Sequence, residues 1–143
     1  MTLIKSISGI RGTIGGQPGE GLSPIDLVKY AAAFAAWVKD SSGKQKPTVV
    51  VGRDARISGP MVSSIVGSTL TGRGCSVVNI SLATTPTTEL AVTAEKADGG
   101  IILTASHNPK QWNALKLLGN KGEFLNAAEG EKVLAIADRK SVV

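Results

Sequence analysis

Three short runs of apolar, mostly β-branched residues constrain this chain more than anything else in it: Thr48-Val49-Val50-Val51, Cys75 to Ile80, and Ile101-Ile102-Leu103. Each is too short for a buried helix and is bounded by turn residues, so each reads as a buried strand. Between them the apolar period changes. Ser23-Pro24-Ile25-Asp26 opens a helix with a capping serine, a proline at the first helical position and an acidic third residue. Leu27, Val28, Ala31, Phe34, Ala35 and Val38 then recur at helical spacing, and the helix is expected to end near Ser41-Ser42-Gly43. Ser58-Gly59-Pro60 opens a second helix with Ser58 as its N-cap, carrying Met61, Val62, Ile65, Val66, Thr69 and Leu70 until Gly72 and Gly74 stop it. Thr85-Pro86-Thr87 opens a third, with Leu90, Ala91 and Ala94. Leu115 to Leu118 predicts a further strand, and Asn126 to Glu129 caps a last helix through Val133, Leu134 and Ala137. The glycine-rich stretch Gly9 to Gly21 reads as a hairpin or an extended entry.

Strand–helix–strand alternation with apolar strands points to an α/β layered sandwich with a largely parallel sheet. At 143 residues one such domain is expected, with no internal repeat or linker. One cysteine, Cys75, and one histidine, His107, exclude a disulfide framework and a His- or Cys-cluster metal site. The apolar stretches are broken well before the ~20 residues of a membrane span, and Met1 to Gly12 lacks the apolar core of a signal peptide. The expectation is a cytoplasmic protein with no membrane partner. Net charge is +5, which favours anionic partners. Aromatic residues make up 3% of the chain, too few for base-stacking platforms, so phosphorylated small molecules are expected and nucleic acid is not.

Ligands of such folds sit beyond the carboxyl ends of the strands, and two of those exits are rich in polar residues. Val51 is followed by Gly52-Arg53-Asp54-Ala55-Arg56-Ile57-Ser58, and Leu103 by Thr104-Ala105-Ser106-His107-Asn108-Pro109. Adjacent Ser106 and His107 do not make a hydrolase dyad, and neither G-x-S-x-G nor a P-loop is present. On these residues alone the second loop reads equally as a substrate-contacting segment or as a turn ended by Asn108-Pro109.

Gly99 to Pro109, followed by Asn113 and Lys116, resembles the phosphoserine signature of the α-D-phosphohexomutases. Three further segments agree in order: Ser8-Gly9-Ile10-Arg11-Gly12 is similar to the family's N-terminal arginine motif, Val51 to Gly59 to its next loop, and Thr85-Pro86-Thr87 to its third. The resemblance covers essentially the whole chain. It implies a three-layer α/β/α sandwich with a mostly parallel mixed sheet, the first domain of a four-domain enzyme. That enzyme interconverts hexose 1-phosphate and hexose 6-phosphate through a bisphosphorylated intermediate. Phosphoglucosamine mutase is favoured, with phosphoglucomutase/phosphomannomutase or a non-catalytic sugar-phosphate-binding module as alternatives.

The same resemblance implies Ser106 as the phosphoryl carrier and, through its phosphate, a ligand of Mg²⁺. Arg11 and Lys116 are implied to stabilise the migrating charge. Lys116 would relay the proton, and His107 would share that task or, the reading preferred here, orient the loop. Thr104, Asn108 and Asn113 are expected to support the loop. Arg53, Asp54 and Arg56 read more readily as an ion-pair network holding it than as substrate contacts. Asn113-Ala114 stands where the family commonly has Asn-Gly, and a turn of altered shape is expected there. The remaining metal ligands, carried by an Asp-x-Asp-x-Asp run of the second domain, have no counterpart here. Hexose 1,6-bisphosphate is implied as activator. The chain by itself is expected to fold, to lack the second to fourth domains as partners, and to be catalytically silent.

Overall fold

Why the strands assemble as they do follows from which residues alternate. The computed structural model describes residues 2–7, 9–105 and 108–139; the predicted roles of Ser106 and His107 lie outside the described residues. Along these runs β1 (Leu3–Ser6), β2 (Gly9–Thr13), α1 (Pro24–Ser42), β3 (Thr48–Arg53), α2 (Gly59–Gly72), β4 (Ser76–Leu82), α3 (Thr85–Ala94), β5 (Gly99–Leu103), β6 (Trp112–Leu118) and α4 (Ala127–Ala137) follow in order. The strands form one sheet in the order β1-β2-β6-β5-β3-β4. The sheet is mixed, as expected, but parallel pairs are the minority, two of five, where most were expected to be parallel. Parallel pairing is confined to β5–β3–β4, while β5–β6, β6–β2 and β2–β1 are antiparallel.

The helix boundaries carry the predicted chemistry. At α1 the Ser23 side chain accepts from the Asp26 N–H and the Asp26 carboxylate accepts from the Ser23 N–H, a reciprocal cap. The helix ends on Gly43 at φ 68°, a left-handed position that glycine adopts without cost. Asn126 and Glu129 cap α4 in the same reciprocal way.

Alternation sorts the strand residues onto two faces. Ile10, Val49, Val51, Ile101, Leu103, Leu115 and Leu117 pack against α1, α2 and α4, with Phe34, Leu27, Val62, Val66 and Val133 buried between. Each large side chain taken wholly out of water there contributes roughly 1.5–3 kcal/mol. The opposite face carries α3 alone, packed through Val92 on Val50, Ile102 and Leu118. Two glycines let α3 approach so closely: a Cβ at Gly52 would run into the Thr88 hydroxyl, and one at Gly100 would stand 2.7 Å from a Val92 methyl. Because α3 lies over β3 and β5, among the described residues no helix covers β1 and β2 on this side. The layering is therefore three helices, sheet, one helix, with half of one sheet face bare.

One further expectation is sharpened and one needs correction. The start of the Gly9 to Gly21 stretch is strand β2, in a hairpin with β1, whose short Leu3-Ile4-Lys5-Ser6 run gave too little periodicity to be read. Asn113-Ala114 is no turn: both residues lie within β6, Asn113 opposite Gly12 and Ala114 opposite Arg11, with no positive φ. Among the described residues no helix is long and apolar enough to cross a membrane.

Candidate functional site

The parallel strands β3, β4 and β5 deliver their carboxyl ends to one edge of the sheet, where residues 54–58, 83–84, 104–105 and 108–111 lie. β6 begins and β2 ends at the same edge, Trp112 opposite Thr13.

Arg56 dominates this edge. Its Nη1 donates to the carbonyls of Pro109 (2.7 Å) and Trp112 (3.0 Å), and its Nη2 to that of Asn108 (2.9 Å). Nε donates to Asp54 Oδ2 at 3.2 Å. The side chain is 11% exposed, so a planar cation with a fixed donor fork is spent on backbone oxygens of the loop that follows β5. Asp54 balances it. Its Oδ1 accepts from the Arg56 N–H at 3.1 Å, and its Oδ2 accepts the Thr104 hydroxyl at 2.6 Å. Its own N–H donates to Leu103 O. Thr104, Asp54, Arg56 and the 108–112 segment are thus one connected network between two loops. Asn108 adds a bond from its N–H to Ala105 O. Arg53 stands apart from the ion pair: its Nη1 donates to the Asp54 backbone carbonyl at 3.2 Å.

Asn113 is fully buried. Its Nδ2 donates to Ser58 Oγ at 2.9 Å and its Oδ1 accepts from the Ala114 N–H at 2.8 Å. This corrects the reading of Ser58, which holds the N-cap position of α2 without capping it. Its ψ of −10° is helical, which turns the hydroxyl away from the first-turn N–H groups a cap would serve. Ser58 braces β6 instead.

Arg11 and Lys116 occupy the bare half-face. Ile10 packs into the three-helix core, so Arg11 projects to the other side of β2. Leu115 and Leu117 likewise face the core, so Lys116 projects with Arg11. Register makes them diagonal neighbours, Arg11 opposite Ala114 and Lys116 two residues further along β6, a separation of about 7–8 Å between backbones. They line a cavity of about 290 Å³ with Ser6, Gly9, Ile10 and Ala114. Gly9 is needed there, since a Cβ would collide with the Leu115 carbonyl oxygen. Gly9 belongs to the arginine motif; Ser6 was not anticipated, its signal being the alternation of β1, legible only once β1 and β2 are paired. Two larger cavities, about 440 and 480 Å³, share Trp37 and lie away from Arg11 and Lys116: the first is between α1 and α4, and the second, lined by Lys44, Asp98 and Asn120, is at the opposite ends of the strands.

The arrangement suits an anion. Two cations stand on one uncovered face, beside a loop held from behind by a third cation whose charge is already matched by Asp54. It does not suit a metal by itself. Among the described residues no three His, Cys, Asp or Glu side chains come together, and both oxygens of Asp54 are taken. The displaced titrations lie elsewhere. Burial, with the Asp26 and Asp138 carboxylates, pushes the Tyr30 hydroxyl up to about 12, and burial raises the Cys75 thiol.

The family described as phosphoglucomutase/phosphomannomutase, alpha/beta/alpha domain I, matches residues 3–142. The chain is 41% identical over 113 residues to the phosphoglucomutase/phosphomannomutase of Thermococcus kodakarensis, covering 78% of this chain and 25% of that protein. It is 35% identical over 130 residues to the phosphoglucosamine mutase of Macrococcus caseolyticus, covering 91% and 28%. A crystal structure of a provisionally assigned phosphomannomutase from Thermus thermophilus superposes with a TM-score of 0.82 at 28% identity, covering 94% of this chain and 30% of that one. The chain spans a quarter to three-tenths of the length of these relatives.

Proposed function

The chain belongs to the phosphoglucomutase/phosphomannomutase family as its α/β/α domain I, and from that premise we propose that it is the phosphoryl-carrying domain of a phosphohexomutase. The observation that carries this reading is the convergence of Arg11 and Lys116 on the bare sheet face, at the edge where the Arg56-held loop leaves β5.

Ser106, two residues beyond Thr104, carries the phosphoryl group. In the first transfer the P–O bond to the serine breaks and a bond forms to the free hydroxyl of hexose 1-phosphate. The proton of that hydroxyl passes to the serine oxygen, with Lys116 as the relay. The bisphosphate turns over, and the reverse step returns its 1-phosphoryl group to Ser106, leaving hexose 6-phosphate. Phosphoryl transfer asks a protein chiefly for in-line positioning and positive charge around the migrating oxygens. A phosphoserine brings about −1.5 to −2 charges, which Arg11 and Lys116 meet from neighbouring strands. Arg56, Asp54 and Thr104 hold the loop, and His107 orients it. Mg²⁺ is assigned to the phosphate of Ser106 with carboxylates from outside this chain, since the described residues do not themselves form its site; hexose 1,6-bisphosphate primes the serine. Glucosamine phosphate is the favoured substrate, supported by the Macrococcus relative. The Thermococcus relative supports glucose or mannose phosphate as the second reading. A cytoplasmic location follows from such substrates.

The test is a domain replacement. The chain alone, with glucose 1,6-bisphosphate and Mg²⁺, gives no mutase turnover; substituted for the matching segment of the Macrococcus enzyme, it supports turnover that Ser106→Ala abolishes. Turnover by the chain alone, or a chimera indifferent to Ser106→Ala, contradicts the reading.

A further inference from the structure

Alternation places a third large side chain on the bare half of the sheet. Leu115 and Leu117 face the three-helix core, and Asn113 reaches the Ser58 hydroxyl at the head of α2 on that same side. Trp112 therefore projects with Ala114 and Lys116 to the other side. Register fills the two rows there large against small: Lys116 opposite Gly9, Arg11 opposite Ala114, Trp112 opposite Thr13. Arg11 thus stands between Trp112 on one diagonal and Lys116 on the other, each about 7–8 Å away between backbones.

A tryptophan kept for packing alone is expected inside. Of the chain's two tryptophans, one tyrosine and two phenylalanines, Tyr30, Phe34 and Trp37 are buried along α1. Phe124 lies by Leu118, at the other end of β6. Trp112 is half-buried and belongs to neither core. Among the described residues its ring makes no aromatic stack and no cation–π contact. Its backbone, by contrast, is held three ways. The N–H donates to the Pro109 carbonyl at 2.9 Å, the carbonyl accepts from Arg56 Nη1 at 3.0 Å, and the residue pairs with Thr13. An aromatic side chain on a fixed backbone is thus set beside two cations, at the foot of the loop that leaves β5.

We propose that Trp112 is the platform on which the hexose ring rests, an inference that stands on the phosphohexomutase reading above. Arg11 and Lys116 address phosphate but leave the sugar between the phosphates unheld. Small-molecule sites combine apolar and aromatic surface with a few placed polar groups. A pyranose presents C–H bonds on its faces, and their slightly positive hydrogens suit the negative face of an aromatic ring. Laid along this row, a hexose bisphosphate sets its ring over the indole and one phosphate between Arg11 and Lys116. The other phosphate turns toward the loop that Trp112 closes. Stacking holds a ring by area rather than by directed bonds, so the contact persists while the two phosphates exchange ends. Turnover of the bisphosphate requires that exchange, and a hydrogen-bonded cradle would have to be broken and remade to permit it.

Titration of the 143-residue chain with glucose 1,6-bisphosphate, followed by NMR, tests this. The hexose ring protons are expected to move upfield on binding, under the ring current of the indole. The Trp112 indole N–H resonance shifts with them, and that of Trp37 stays. Trp112→Leu weakens bisphosphate binding at least about 10-fold and abolishes the upfield movement. It leaves the binding of inorganic phosphate unchanged, because Arg11 and Lys116 remain. Trp112→Phe keeps the upfield movement and most of the affinity. Bisphosphate bound without that movement, or bound equally well by Trp112→Leu, overturns the platform and leaves the phosphohexomutase reading standing. So does a Trp112→Leu chain that loses inorganic phosphate to the same degree, since the tryptophan then acts through the fold. A wild-type chain that binds neither bisphosphate nor inorganic phosphate removes the anion site itself and contradicts both readings.

Discussion

Arg56→Ala isolates the network that holds the loop after β5. The substitution removes donors to the carbonyls of Asn108, Pro109 and Trp112 and the contact to Asp54. A hydrogen bond from a charged donor contributes roughly 1.5–3 kcal/mol where water cannot replace it. The Pro109 bond is solvent-exposed, so water takes it over at little cost. The bonds to Asn108 and Trp112 are partly buried, and with partial rehydration their joint loss comes to about 2–3 kcal/mol. Because the loop opens locally before the sheet does, the readout is amide hydrogen exchange at Asn108, Trp112 and Ile14. Their N–H groups bond Ala105, Pro109 and Gln111. Protection should fall roughly 30- to 100-fold at these amides, tenfold for every ~1.4 kcal/mol, while Val50 and Ile101 in the sheet change far less. Arg56→Lys should recover less than half, since one ammonium cannot span three carbonyls. A fall of less than about threefold, or full recovery by lysine, would refute the claim that the guanidinium holds the loop.

Gly52→Ala should cost about 1–3 kcal/mol in urea unfolding through overpacking against the Thr88 hydroxyl, and Thr88→Ala in the same chain should restore part of it. Asn113→Ala strands the Ser58 hydroxyl and should cost about 1–3 kcal/mol, read as a shift in urea midpoint at constant slope. Ala114→Gly, which restores the family's commoner residue, should destabilise by about 0.5–1 kcal/mol because the position is strand; a stabilising result would show that the backbone there wants a turn. The single tyrosine gives a clean pH test. Tyr30 in the folded chain holds its proton up to about 12 against a usual value of 10.0, so its contribution to stability is fully present below pH 10 and is lost between pH 10 and 12. Tyrosinate absorbance should appear in the folded chain about two pH units later than in urea.

Much of this was legible beforehand because its causes are local. Ser23-Pro24-Ile25-Asp26 and Asn126 to Glu129 carry their cap partners within four residues, and β3 and β5 are built on the unbroken apolar runs Val49 to Val51 and Ile101 to Leu103. What stayed hidden depends on partners far along the chain. Leu3 to Ser6 is too short and too weakly patterned to be read as a strand until β2 lies beside it. Ser58 looks like a cap because a serine before Gly-Pro usually is one; its true partner, Asn113, is 55 residues away. At the site, the spacing of Arg53, Asp54 and Arg56 announced a network, but three charges in four residues do not say which one turns across the neighbouring loop. Arg56 reaches the far carbonyls, whereas Arg53 folds back on its own neighbour.

The reversal of direction between β5 and β6 has a mechanical consequence. A parallel successor would have required a crossover, drawing the chain after Leu103 away from the sheet. An antiparallel one brings it straight back, and the Thr104 N–H reaches the Ala114 carbonyl at 3.2 Å. The segment between them is a closed loop whose two feet are pinned side by side. Doubling the length of such a loop costs only about 0.6 kcal/mol. Its tip is therefore a place where residues can be exchanged or inserted at little expense to the fold, provided Arg56 still finds its carbonyls. The scaffold accepts a new tip the way a chuck accepts a new bit.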